Sequence, residues 1–197
     1  ADVRPTSVRI AISEGPRTLI GAISFEGGAG LAEPELRALL RAAPGHPFSE
    51  AEIAADRDRI DLEYRNRGYD GVVVSPRVTL AENDTRADVV FAIAPGAQAI
   101  VDHVIIAGNV RTRTETIERE LLLHPGQPLG YSARLESQQR LAALGLFRRV
   151  RIEELPHPGE SRRDLLVRVE ESPPTTLGYG RSEEHTSELQ SHVRISY

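Results

Sequence analysis

The chain contains no cysteine, methionine or tryptophan, and all 24 of its basic residues are arginine, so lysine is missing too. Each gap removes a chemistry. Without Cys there is no disulfide framework, thiolate nucleophile or Cys-bound zinc. Without Lys there is no Schiff base and no phosphate loop of the GK[ST] kind. Aromatic residues make up 5% of the chain and the formal charge is -5, which argues against nucleic acid as a partner, because such binders present a basic face. No stretch approaches the ~18 apolar residues of a membrane-spanning helix. No signal peptide precedes Ala1, so we expect either a removed leader or a fragment. What is present is ordinary for a globular chain: 197 residues, 40% hydrophobic, enough for one domain or two small ones.

The sequence repeats itself once, at an offset of 81. Ile20, Ile23, Phe25 and Gly27 align with Val101, Val104, Ile106 and Gly108, and Leu36 and Leu40 with Ile117 and Leu121. Pro44-Gly45-His46-Pro47-Phe48 aligns with Pro125-Gly126-Gln127-Pro128-Leu129. After Ile60 and Leu141 the offset falls to 77 at Gly68 and Gly145, then to 76 where Asp88 to Ile93 meets Asp164 to Val169. Four lost residues are about one helical turn, so the second copy is expected to carry the shorter second helix.

Each copy reads as strand, helix, helix, strand, strand. Leu19 to Phe25 alternates before a glycine-rich turn. Pro34 opens a helix with Leu36, Leu39 and Leu40 on one face. The Pro44 and Pro47 turn stops it, and Ser49 with Glu52 predicts a capping box for a second helix with Ile53, Ile60 and Tyr64 inward. Gly68 ends that helix, and Val72, Val74 and Val78 then alternate into a hairpin with Val89 to Ile93. In the second copy, Thr112 with Glu115 predicts another capping box, and Val150 to Ile152 pairs with Leu165 to Val169. A first strand reaching the later pair through two helices requires a crossover. The fold class is therefore α+β: tandem modules, each a three-stranded mixed sheet with two helices on one face. Ala94-Pro95-Gly96 is too short for a floppy linker and should hold the modules within a narrow range of angles.

No constellation in the sequence announces catalysis, and no cofactor or metal is expected. His46, His103, His124 and His157 are scattered, and Asp102-His103 lacks a nucleophile elbow. Neighbouring strand residues also point to opposite faces. Asp56-Arg57-Asp58-Arg59 reads as charge pairs on a solvated helix face. Binding has a physical route, because a small open sheet leaves edges whose N–H and C=O groups can accept an extended chain. Pro76 cannot donate to a ladder, which puts the strand from Val72 to Leu80 at an edge, and by the repeat Arg148 to Leu155 as well. The candidate docking residues are Val72, Val74, Pro76, Val78, Arg148, Val150 and Ile152. Pro76 equally suits an edge protected against aggregation, and that reading stays open.

The β-α-α-β-β repeat resembles POTRA domains, closest to those of the BamA/TamA family of outer-membrane protein assembly factors. The features that carry the resemblance are the Gly after the first strand, the Pro-Gly-x-Pro turn between the helices, and Gly-Tyr or Gly-Leu-Phe after the second helix. The resemblance implies a terminal strand of a preceding module over 1–16 (Val8, Ile10 and Ile12 alternate), POTRA modules over 17–96 and 97–172, and the start of a membrane β-barrel over 173–180, where Thr176-Leu177-Gly178-Tyr179-Gly180 stands. It further implies a non-enzymatic docking arm in the periplasm, belonging to a bacterial outer-membrane barrel that inserts or translocates proteins. Its partners would be unfolded outer-membrane or secreted polypeptides, periplasmic partner subunits and its own barrel. The arm of a two-partner secretion transporter, or a barrel-free scaffold or cell-division adaptor, are the alternatives; the natural sequence after Gly180 separates them. The run from Arg181 to Ser191 breaks the strand pattern and resembles a translated sequencing adapter, so 181–197 is expected to be an artefact. Without it, 22 Arg stand against 26 acidic residues, a charge of -4.

Overall fold

The computed structural model describes residues 17–81, 83–156 and 161–173. The expected strand at Val8 to Ile12, the run Thr176 to Gly180, the tail 181–197 and His157 lie outside the described residues. The first module comprises β1 (Leu19–Gly27), α1 (Glu33–Leu39), α2 (Glu50–Asn66), β2 (Val73–Ala81) and β3 (Arg86–Ala94). The second comprises β4 (Ile100–Ala107), α3 (Thr114–Glu118), α4 (Tyr131–Ala143), β5 (Phe147–Pro156) and β6 (Arg162–Glu171). The strand orders are β1-β3-β2 and β4-β6-β5, with the first pair parallel and the hairpin pair antiparallel in each. The four-residue shortening is real: α2 has 17 residues and α4 has 13.

Each sheet buries one face against its helices. Ile20, Ile23, Leu36, Ile53, Ile60, Tyr64, Val89 and Phe91 make the first core, and Val101, Ile117, Leu121, Leu141, Leu165 and Val167 the second. Ile20 and Ile23 are three apart and would face opposite ways in a regular strand. Both face inward because the pairing with β3 shifts between them, and the same shift falls between Val101 and Val104. An aspartate from the central strand holds each bulge: the Ala22 N–H donates to Asp88 Oδ1 at 2.7 Å, and the His103 N–H to Asp164 Oδ1 at 3.2 Å.

Three local expectations are corrected. Asp56 is fully buried, not on a wet face. Its carboxylate accepts the Arg41 N–H at 2.9 Å and the Ala42 N–H at 3.0 Å and pairs with Arg59, so it ties the loop after α1 to the inner stripe of α2. Ser137 stands at the same place in the second copy, also fully buried, accepting the Leu122 N–H at 2.8 Å. Ser49 does cap α2, but through its carbonyl, which accepts the Glu52 and Ile53 N–H groups; its hydroxyl makes no cap bond. Thr112 is not a cap at all. Its N–H is held by Glu171 Oε1 at 2.7 Å, so α3 begins two residues later with Arg113 as N-cap.

The modules meet through backbone contacts. The Ala99 N–H donates to the Gly68 carbonyl at 2.8 Å, the Gln98 side chain donates to the Arg67 carbonyl, and Asn66 Oδ1 accepts the Ser132 N–H at 3.0 Å. The second module thus caps the C-terminal carbonyls of α2, while Asn66 caps the start of α4. At the far end, Glu171 gathers the Arg111 and Thr112 N–H groups and the Arg111 guanidinium. Led by the Thr112 N–H bond, these hold its carboxyl down at about 2.

Candidate functional site: the free sheet edges

A three-stranded sheet has two edges, and in the first module they differ. The Pro-Gly-x-Pro turn folds back on β1: the Gly45 N–H donates to the Ile20 carbonyl at 2.7 Å, and the Ile20 N–H to the His46 carbonyl at 2.8 Å. Further along, Arg37 lies over the Phe25 ring and donates to the Ile23 carbonyl at 3.2 Å. The outer edge of β1 is therefore occupied by its own module.

Among the described residues no strand pairs with the outer edge of β2. Val74, Pro76, Val78 and Leu80 lie opposite Ile93, Phe91, Val89 and Ala87 of β3, all four of which are buried, so they share the helix-facing side. Toward its end β2 outruns the cover of α2, leaving Val78 40% and Leu80 51% exposed. Between β2 and the start of α2 runs a cleft of about 190 Å³, floored by Phe48, Ile53, Ala54, Pro76 and Val78 and flanked by Glu50 and Arg57. Val72 and Val74 are core residues, 5% and 8% exposed, and offer an incoming chain little beyond their backbone.

The second module also places its hairpin strand, β5, at the edge, with Arg148 exposed and Val150 and Ile152 in the core. Here the helix-facing side of the edge carries charge. Glu154 faces Leu165 as Val78 faces Val89, and it forms an ion pair with Arg134, the counterpart of Ile53. Arg134 also lies over the Tyr131 ring at 5.8 Å, and Gln138 Nε2 donates to the Val150 carbonyl at 3.2 Å. Arg134 and Glu154 also wall a small depression of about 10 Å³ where Leu129 and Tyr131 meet Arg65 and Asp70 of the first module. A depression of about 650 Å³ instead opens beside β4, lined in part by Val104, Leu121, Leu123, Glu115 and Glu118; Glu118 stands where the first module has Arg37.

His103 and His124 both line the depression beside β4. Asp102, His103 and Asp164 converge, which corrects the expectation that Asp102 and His103 point to opposite faces: the bulge breaks the alternation. His103 Nδ1 lies 3.4 Å from Asp102 Oδ2 and 3.0 Å from Asp164 Oδ1. The ring is 71% exposed, Arg162 already pairs with Asp102 at 2.7 Å, and Asp164 secures the bulge. Asp102, His103 and Asp164 each offer one ligand atom within 4.8 Å of the others, a spacing that could hold a metal ion and that the scattered histidines of the sequence did not announce.

The fold defines a class: tandem α+β modules, each a three-stranded mixed sheet with two helices. The POTRA family model, described as "Surface antigen variable number repeat", matches residues 18–96 and 99–172. The chain belongs to the POTRA family. It is 28% identical over 159 residues to the outer membrane protein assembly factor BamA of Neisseria meningitidis serogroup B, covering 80% of this chain and 20% of that protein. It is 29% identical over 174 residues to BamA of Neorickettsia risticii, covering 86% and 23%. The chain thus spans about a fifth of the length of these relatives. Among solved structures, BamA of Haemophilus ducreyi lacking POTRA domains 1-3 matches with a TM-score of 0.66 at 21% identity, over 79% of this chain and 29% of that one. POTRA3-5 of Haemophilus influenzae BamA matches with a TM-score of 0.59 at 20% identity, over 78% and 61%. These structures share the tandem fold.

Proposed function

We propose that this chain is the periplasmic arm of an outer-membrane protein assembly factor, and that β2 of its first module receives extended segments of unfolded outer-membrane or secreted polypeptides. The observation that carries the reading is the unevenness of the edges. The β1 edge is tied down by its own turn and by Arg37, whereas β2 presents the helix-facing side of Pro76, Val78 and Leu80 beside an apolar cleft. A barrel strand alternates apolar and polar residues over about ten positions. Laid along β2, its backbone extends the ladder while every second side chain meets that apolar strip. Pro76 withholds one donor, which leaves the edge unsuited to indefinite stacking without closing it to a short segment.

The names of the relatives support the assembly reading, and the fold supports docking in place of catalysis. The arm would sit in the periplasm, joined to a barrel in the bacterial outer membrane, with periplasmic subunits as further partners; nucleic acid is not among them. No helix of the described residues is long and apolar enough to cross a membrane. An NMR titration tests the docking. A peptide of about ten residues alternating valine with threonine is added to the isotope-labelled chain. Amide shifts should concentrate on Val73 to Ala81 and on the first turns of α2. Shifts confined to β1, to β4 or to the far helix faces would overturn the reading.

A further inference from the structure

The two modules are internal controls for one another, because register fixes which residues correspond. Val78 lies opposite Val89 in β3, and Glu154 opposite Leu165 in β6, so Val78 and Glu154 hold one position. Ile53 and Arg134 hold another, and Arg57 and Gln138 a third, each separated by the repeat offset of 81. In the first module Ile53 and Val78 leave a mainly apolar cleft, and Arg57, paired with Asp58 at 2.6 Å, stands on its flank. In the second module the valine and isoleucine positions become charged, and the third stays polar. Arg134 and Glu154 bridge the cleft as an ion pair, and Gln138 donates to the Val150 carbonyl of the edge strand itself.

We infer that Arg134, Gln138 and Glu154 form a closure that bars β5 from extended apolar segments, so that of the two hairpin edges β2 takes them. The inference rests on the docking reading above. The physical reason is desolvation. An apolar side chain entering the second cleft must separate the pair and strip water from an arginine and a carboxylate, each only 29% and 23% exposed, without offering either a partner. The same side chain entering the first cleft displaces water chiefly from Phe48, Ile53, Ala54, Pro76 and Val78, with Glu50 and Arg57 on the flanks. Gln138 adds a second barrier, since an incoming strand would compete with it for the Val150 carbonyl. A charged pair in place of Val78 and Ile53 thus sets which copy of a duplicated fold takes the ligand.

The test exchanges residues between copies. In the full chain, Arg134→Ile, Gln138→Arg and Glu154→Val give the second module the residues of the first. The valine–threonine peptide should then shift amides along Phe147 to Leu155 as well as β2, and the stoichiometry by calorimetry should double. Shifts still limited to β2 in a folded triple variant would overturn the inference. The reciprocal change, Val78→Glu at an exposed position, places a carboxylate in the open cleft and should weaken peptide binding at least tenfold; unchanged affinity would also overturn it. If the triple variant does not fold, Val78→Glu decides alone. Absence of any β2 shift in the unaltered chain would instead reject the docking reading, so the two failures are separable.

Discussion

Replacing Asp56 with alanine should cost the first module about 3 kcal/mol. The estimate comes from what its carboxylate holds. The Ala42 N–H sits in a residue 5% exposed and would lose its acceptor in a place water does not reach; an orphaned buried donor costs about 1–3 kcal/mol. The Arg41 N–H is only part-buried and adds a smaller share of the same kind. The Arg59 pair adds little, because that guanidinium can turn to water. A module of this size commands roughly 5 kcal/mol in all, so the loss takes most of its stability. Serine at this position should restore part of it, since Ser137 performs the same task in the second module with one bond to the Leu122 N–H. Urea denaturation at neutral pH, with hydrogen exchange at the Ala42 amide, reads the result. An Asp56→Ala midpoint within about 0.5 kcal/mol of the unaltered chain, or a serine variant no better than alanine, would refute the reasoning.

Other perturbations separate strain from collision and joint from module. Gly108 and Gly126 both have positive φ, yet an added Cβ at Gly108 would meet the Val169 carbonyl at 2.0 Å while at Gly126 it meets nothing within 4 Å. Gly126→Ala should therefore cost about 1–2 kcal/mol for the backbone alone, and Gly108→Ala clearly more, by urea denaturation. Gly130→Ala would bring a Cβ within 2.7 Å of the Asn66 carbonyl at the joint. It should leave each module's unfolding midpoint in place but abolish a common alignment of the two modules in residual dipolar couplings. Because the folded Glu171 carboxyl titrates near 2 and its ordinary value is 4.5, its stabilising share is complete above 4.5 and is lost as pH falls toward 2. Glu171→Gln should flatten the acid limb of the second module's stability over that window.

The repeat made much of this fold legible. Matched glycines and the twin Pro-Gly-x-Pro turn fixed the order of elements, and the fall in offset from 81 to 77 placed the missing turn in α4. Pro76 alone marked an edge, because a residue without an N–H fits poorly between two strands. What escaped depends on register. The bulges at Ile20/Ile23 and Val101/Val104 break an alternation that local patterning assumes, so Asp102 and His103 came to one side unannounced. Asp56 was hidden by its charged neighbours, although its place on the stripe of Ile53, Ile60 and Tyr64, and its alignment with Ser137, carried the signal. Thr112 looked like a cap until Glu171, far along the chain, claimed its N–H. The difference between the two clefts needed the pairing of β2 and β5 before Val78 and Glu154 could be matched.

The claim that docking belongs to β2 is tested most directly by site-specific photocrosslinking. A photoreactive residue is placed at Val78, at Glu154 or at the exposed Ile105 of β4, and the chain is presented with an unfolded outer-membrane β-barrel polypeptide. The structure predicts a strong adduct from Val78 and little from Glu154 or Ile105. Adducts of equal yield at all three positions, or a dominant one at Glu154, would contradict it.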